Sequence, residues 1–167
     1  MIDVLLQHSK PADAGDIHVL FAGGIHDALS SAMVAAMAAP LVERGMKVGV
    51  LMGSAYLFTQ DIVQAGAIVS GFQSEAVACQ RTVSLATGPG HASRCADTRF
   101  AREFFDTRRS LIAKGAPASE ISEVLEDLNL GRLRIASKGV NRDASGEIVS
   151  ISDDDQHRDG MYMIGQV

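Results

Sequence analysis

The sequence predicts an α/β protein built from parallel strand–helix units. Two short apolar runs carry that expectation: IHVLFA at 17–22 stops on Gly23-Gly24, and VGVLM at 48–52 stops on Gly53. Each run is followed by a helix-like stretch, and parallel strands joined by a helical crossover are the simplest arrangement of such a pattern. The third observation is the spacing. Gly24 and Gly53 lie 29 positions apart, close to the roughly 31 residues per unit of a (β/α)8 barrel of about 250 residues. A doubly wound open sheet has a similar repeat, so spacing supports α/β without choosing between barrel and open sheet.

The first strand covers 17–22. Asp27 or Ser30 is positioned to cap the helix after it, with Leu29, Met33, Val34 and Met37 as its apolar stripe. Pro40 is expected to kink or end that helix, and Gly45 marks the turn into the second strand. Thr59 reads as the N-cap of a further short helix closed by Gly66. Beyond residue 70 the pattern changes. SEAVACQRTV (74–83) reads as helical, and TVSLATGPGHASRC as a short strand running into a glycine-rich loop. Residues 100–113 form an amphipathic helix with Phe100, Phe104, Leu111 and Ile112 on one side and Gly115 as terminator. Residues 119–130 form another, capped by Ser119, with Ile121, Val124, Leu125 and Leu128 as its stripe. LRIASKG follows, then NRDASGEIVSISDDDQHRDG, a polar surface loop or linker. The last segment, GMYMIGQV, turns apolar again and reads as a chain cut short.

Size and composition narrow the function. The chain has 167 residues, 47% apolar and 21% charged, which suits a globular protein with its own core. Aromatic residues are few (six Phe, two Tyr, no Trp), and the net charge of −5 comes with no basic patch, which argues against a nucleic-acid surface. The two cysteines, Cys79 and Cys95, lack metal-ligand spacing and read as reduced thiols. MIDVLLQHSK lacks the basic start and long apolar run of a signal peptide. The longest uncharged stretch, Ala28 to Val42, is 15 residues and too short to span a membrane. A cytoplasmic, soluble protein is expected.

The strand-end turns AGG-I and MGS-A are the strongest chemical signal. On adjacent parallel strands both open at the same carboxyl edge, where helix N-termini and backbone amides favour an anion such as phosphate. The Ser54 hydroxyl adds a donor. The alternative is that Gly23, Gly24 and Gly53 serve only as turn glycines. TGPGHASRC (87–95), with His91 and Arg94, reads as a lid or anion contact or else as a solvated loop. His26 is placed to face a ligand or to serve the helix start. SDDDQHRDG (152–160) is acidic but does not follow the calcium-loop pattern. No G-x-G-x-x-G, Walker, G-x-S-x-G, H-E-x-x-H or C-x-x-C sequence occurs, so dinucleotide, P-loop, triad, zincin and dithiol chemistry are without support.

FAGGIHDA, then VGVLMGSAYLF, then TVSLATGPGHASRC resembles the nitronate monooxygenase (2-nitropropane dioxygenase-like) family of FMN-dependent (β/α)8 barrels. The versions it most resembles are flavin domains of polyketide- and fatty-acid-synthase-like multienzymes. LNLGRLRIASKG and GMYMIGQV are similar to later parts of such domains, and the likeness runs from residue 17 onward. It implies a partial TIM barrel: residues 1–70 as its last two βα units, 71–140 as a mainly helical covering region, and 141–167 as a polar loop with a truncated end. It also implies that Gly23 and Gly24 hold the FMN phosphate by their amides, with Gly53 and Ser54 beside them. Ser54 stands where the family has Thr, which keeps the hydroxyl. The family's catalytic-histidine segment has no counterpart here, and His8, His18, His26 and His91 do not sit in a matching context. No catalytic residue is therefore carried over.

The resemblance implies an oxidoreductase in which FMN takes electrons from a nitronate-like carbanion and passes them to O2. An FMN-dependent enoyl reductase serving a polyketide or fatty-acid line is the alternative enzyme. A non-catalytic remnant or assembly piece of a multienzyme is the alternative outside catalysis. Two parallel strands cannot close a barrel, so the expected partner is the missing N-terminal half of the barrel or a second copy of the chain.

Overall fold

Strands β1 (His18–Ala22) and β2 (Lys47–Leu51) lie side by side and parallel, His18 opposite Lys47 and Ala22 opposite Leu51. The crossover between them is helix α2 (Ala28–Glu43). These elements come from a computed structural model that describes residues 1–165. The chain is mixed α/β and divides into two units, the first Met1–Tyr56 and the second Leu57–Gly165. Among the described residues, β1 and β2 form a sheet of two strands; the further strands of a barrel are not present in it.

In the first unit, α1 (Ile2–His8) and a 3-10 turn (Pro11–Asp16) precede β1, and the sequence reading had found neither. Ala14, Leu41 and Met46 make the buried centre. Val19, Phe21 and Val48 reach it from the sheet, and Ile2, Leu5 and Leu6 from α1. The period of two along β1 thus sends Val19 and Phe21 to the core and His18, Leu20 and Ala22 outward. Parallel sheets are ordinarily covered on both faces, yet Leu20 is 71% exposed and Leu51 61%. That face of the two-stranded sheet is therefore uncovered.

Helix α2 departs from expectation twice. Its inward residues are Val34, Ala38 and Leu41, while Leu29, Met33 and Met37 of the expected stripe are exposed. The helix is apolar on both sides, so periodicity could not choose the packed face; small Ala38 lets the backbone come close to its neighbours. Pro40 also neither ends nor caps the helix, which runs on to Glu43. Proline removes one N–H from the ladder, but the stop is made by Gly45 (φ 95°). Gly45 N–H donates to Val42 O (2.8 Å) and Met46 N–H to Leu41 O (3.0 Å), the Schellman pattern. Leu41 and Met46, bracketing that turn, both belong to the core cluster.

The second unit holds α3 (Gln60–Gln64), α4 (Ser70–Ala78), β3 (Thr82–Gly88), β4 (His91–Ala96), α5 (Arg99–Ala113), α6 (Ala118–Asn129), α7 (Arg132–Lys138), β5 (Val140–Arg142), β6 (Ile148–Ser150) and α8 (Asp153–Asp159). Strands β3 and β4 pair antiparallel, Thr82 opposite Ala96 and Leu85 opposite Ser93, so TGPGHASRC is a hairpin and not a loop. Helix α6 starts from extended Pro117, not from Ser119, which sits inside its first turn. The segment 141–160 is ordered as well: β5 and β6 form a hairpin, and Ser152 caps α8 by accepting from Asp155 N–H (3.1 Å). The acidic run Asp153–Asp155 occupies the first turn of α8, where carboxylates favour the helix dipole. That placement accounts for the acids without a metal.

Two clusters fill this unit. Leu85, Cys95, Phe100, Phe104, Leu125 and Met161 form one between the β3–β4 hairpin and helices α5 and α6. Phe72, Ala136, Tyr162 and Ile164 centre the other. The apolar segment after α8 therefore packs inside, and Tyr162 O–H donates to Gln156 O (2.9 Å) while Gln156 Nε2 donates to Ala136 O (2.6 Å). Gln166 and Val167, at the end of that segment, lie outside the described residues.

Thr98, the N-cap residue of α5, makes no side-chain cap bond, and its buried hydroxyl lacks a hydrogen-bond partner. Replacing a buried unsatisfied hydroxyl with a methyl of the same shape removes a desolvation penalty. Thr98→Val is expected to unfold in urea at or above the parent midpoint, whereas Phe104→Ala is expected to lose about 3–5 kcal/mol.

Candidate functional site

The candidate site is built where β1 and β2 end. Their ladder runs at a constant offset, Ala22 opposite Leu51, which is the same 29 positions that separate Gly24 from Gly53. The two glycine turns therefore leave the sheet at one edge, in register, within the first unit. Buried Ile25 anchors the first turn to its unit. Ser54 opens a 3-10 turn, Ser54–Phe58, in which Tyr56 N–H donates to Gly53 O (3.2 Å).

The glycines differ in what holds them. Gly23 (φ 94°) and Gly24 (φ 69°) are in the left-handed region, with no atom within 4 Å of where a Cβ would stand. The turn itself requires them. Gly53 has no positive φ, and again no atom lies within 4 Å of a Cβ built there. Neither backbone conformation nor crowding within the chain calls for glycine at 53. Gly15 shares both properties, and at Gly53 the open Cα leaves room for a close approach from outside.

Asp27 and Ser30 define how α2 begins. The Asp27 carboxylate accepts from Ser30 N–H (2.7 Å) and Ser30 O–H (2.6 Å), and Ser30 Oγ accepts from Asp27 N–H (3.1 Å). This reciprocal box satisfies amides that a helix start otherwise leaves open. The hydrogen bond from the Ser30 side chain, then that from its backbone, hold the Asp27 carboxyl below the ordinary carboxylate range. His26 Nδ1 lies 3.0 Å from Gly24 O, so a neutral His26 carries its proton on Nδ1. His26 thus ties down the turn.

The remaining sequence candidates have structural partners in the second unit or sit elsewhere on the first. His91 Nδ1 is 3.6 Å from Glu126 Oε1, and Thr87 O–H donates to the same oxygen (2.6 Å). Arg94 donates across the hairpin to Thr82 Oγ1 (3.0 Å). His8 is in the last turn of α1 and His18 on the outer face of β1. Cys79 and Cys95 are free thiols, and burial first, with Asp97 nearby second, pushes Cys95 up to about 11, so its thiolate is disfavoured at neutral pH. Sequence reading missed one feature, an arginine-lined groove beside α5. Its only local trace is Arg99, Arg102, Arg108 and Arg109 along one helix.

Among known proteins, no family model, curated protein or solved structure matches the chain. Among the described residues, no helix is long and apolar enough to cross a membrane.

A carboxyl depressed by folding adds stability above its unfolded pKa of about 3.9, and that stability is lost as pH falls through the folded value. Asp27→Ala is therefore expected to melt below the parent at neutral pH. The gap should close as pH drops below the carboxylate range, as followed by circular dichroism.

Proposed function

We propose that the chain is part of an FMN-dependent oxidoreductase of nitronate monooxygenase type and that its first unit cradles the flavin phosphate. The observation that carries this reading is Gly53, a glycine that its own chain does not require, set in register with the Gly23-Gly24 turn. Gly23, Gly24 and Gly53 offer backbone amides, and the Ser54 hydroxyl a further donor, as a phosphate at such a strand edge needs. When bound, FMN would supply electron transfer between a carbanion-like donor and O2. The chain's own contribution is to bind and orient its phosphate end. His26 and Asp27 fix the turn and the helix start, and no catalytic residue is assigned.

On this reading β1 and β2 are neighbouring strands of a (β/α)8 barrel. The outward face of Leu20 and Leu51, together with the exposed Leu29–Met33–Met37 stripe of α2, supports a need for the rest of the barrel or for a second copy of the chain. A polyketide- or fatty-acid-synthase-like multienzyme in the cytoplasm is the proposed setting, and free thiols at Cys79 and Cys95 agree with it.

Fluorescence titration with FMN tests the cradle. Gly53→Val is expected to weaken FMN binding by about tenfold or more, equal to roughly 1.4 kcal/mol, with thermal unfolding unchanged because no atom of the chain opposes the side chain. Asp27→Asn keeps an N-capping side chain and removes a negative charge, so it should strengthen binding. Equal FMN affinity in Gly53→Val and the parent sinks the phosphate assignment. A monomeric parent chain that binds stoichiometric FMN would remove the need for a partner.

A further inference from the structure

The second unit carries a groove of about 610 Å³ along α5 that the flavin reading leaves without a role. Its walls hold four guanidinium groups, those of Arg81, Arg102, Arg108 and Arg109. Two carboxylates, Asp97 and Asp106, face them, and Val83 and Phe105 supply the apolar surface. We infer that this groove binds a phosphate monoester whose body is apolar.

The arginines are arranged, not merely abundant. Along α5, Arg102, Phe105, Asp106 and Arg109 recur at spacings of three and four, so they share one helical face. Arg81 arrives from the segment before β3. It reaches Asp97 through Nε (3.1 Å) and through Nη2, and Arg102 Nε stands 3.6 Å from the other oxygen of that carboxylate. Asp97 is a firm anchor: its side chain is only 15% exposed, and its N–H donates to Arg81 O (3.0 Å). One carboxylate therefore braces two guanidinium groups, each of which keeps further N–H donors for a ligand. Asp106, itself exposed, pairs with Arg109 one turn along the same helix. Among the described residues, the Arg108 guanidinium has no ion pair or hydrogen bond.

Charge decides the ligand class. Four cations against two anions leave an excess of two positive charges in a chain whose net charge is −5. A phosphate monoester carries about −1.5 to −2 near neutral pH and presents three acceptor oxygens, which matches that excess. A carboxylate or sulfonate, with a single charge, leaves part of it uncompensated. Val83 and Phe105 are half-buried, packed against the Leu85–Phe104 core, so the apolar side is fixed in place before any ligand arrives. The volume suits a small organic molecule.

The groove lies in the second unit, so its test is separate from the flavin cradle. The probe is phenyl phosphate, titrated calorimetrically against the full chain, with inorganic phosphate and benzenesulfonate as comparators. Phenyl phosphate should bind at least about tenfold more tightly than either, because each comparator lacks one of the two features matched. Arg108→Gln should weaken it by about five- to tenfold, the size of one lost charge-assisted hydrogen bond, while Arg44→Gln in the first unit leaves it unchanged. In the Gly53→Val background, where the cradle is blocked, phenyl phosphate should still bind and Arg108→Gln should still weaken it. Absence of binding at about 10 mM, a Kd far weaker than a specific site gives, overturns the proposal. So does equal binding by Arg108→Gln, by benzenesulfonate, or by a single-stranded oligonucleotide that displaces the probe.

Discussion

The parallel pairing of β1 with β2 is the constraint on which the candidate site depends. A parallel pair needs a crossover long enough to return the chain to the starting edge, and α2 supplies it with 16 residues. Where α2 stops decides where β2 starts, and the stop is made by Gly45 together with Leu41 and Met46, which are core residues of the same unit. Packing thus sets the register of the ladder. The register in turn brings Gly24 and Gly53 to one edge. Had Pro40 ended the helix, β2 would have begun elsewhere and the turns would not align.

What could be read from the sequence was local. Both strands, the Asp27–Ser30 cap and the Gly45 turn were legible because each signal lies within a few residues of the feature it makes. The face of α2 was not, since Leu29, Met33 and Met37 are as apolar as Val34, Ala38 and Leu41, and only the packed sheet chooses between them. The hairpins were missed for another reason. Gly88-Pro89-Gly90 reads as a loop until Thr82–Gly88 finds His91–Ala96 as its partner, and the short strands at Val140 and Ile148 give little alternation to detect. The arginine groove was least legible. Arg81, Asp97 and Arg102 come from the segments before β3 and before α5 and from α5 itself, and the overall acidity of the chain concealed a local cationic excess.

The two units also close their cores differently. In the second, the segment after α8 folds back so that Tyr162 and Ile164 are buried and the Gln156 amide satisfies Ala136 O. In the first, the sheet has one packed face and one bare face, and the crossover helix has an apolar stripe on its outer side. Exposed apolar faces of this kind mark interaction surfaces in native proteins. The contrast follows the sequence: residues 28–42 of the first unit carry no charged side chain, so the outer side of its crossover helix is apolar as well.

A second anion near the Gly23-Gly24 turn has to coexist with Asp27. That carboxylate already accepts the Ser30 amide and hydroxyl, and with its pKa depressed it is charged at neutral pH, where a phosphate is charged too. Two like charges on one helix start repel, so a phosphate on the axis of α2 is disfavoured. On the side toward Gly53 and Ser54, the Gly53 carbonyl is engaged by Tyr56 N–H, and open space surrounds the Cα where a side chain would project. If the proposed phosphate binds, like-charge repulsion from Asp27 places it off the axis of α2 and toward the second turn. That placement also gives the two glycine turns separate tasks. Gly23 and Gly24 let the chain reverse out of β1, and Gly53 keeps the neighbouring edge clear for whatever approaches it.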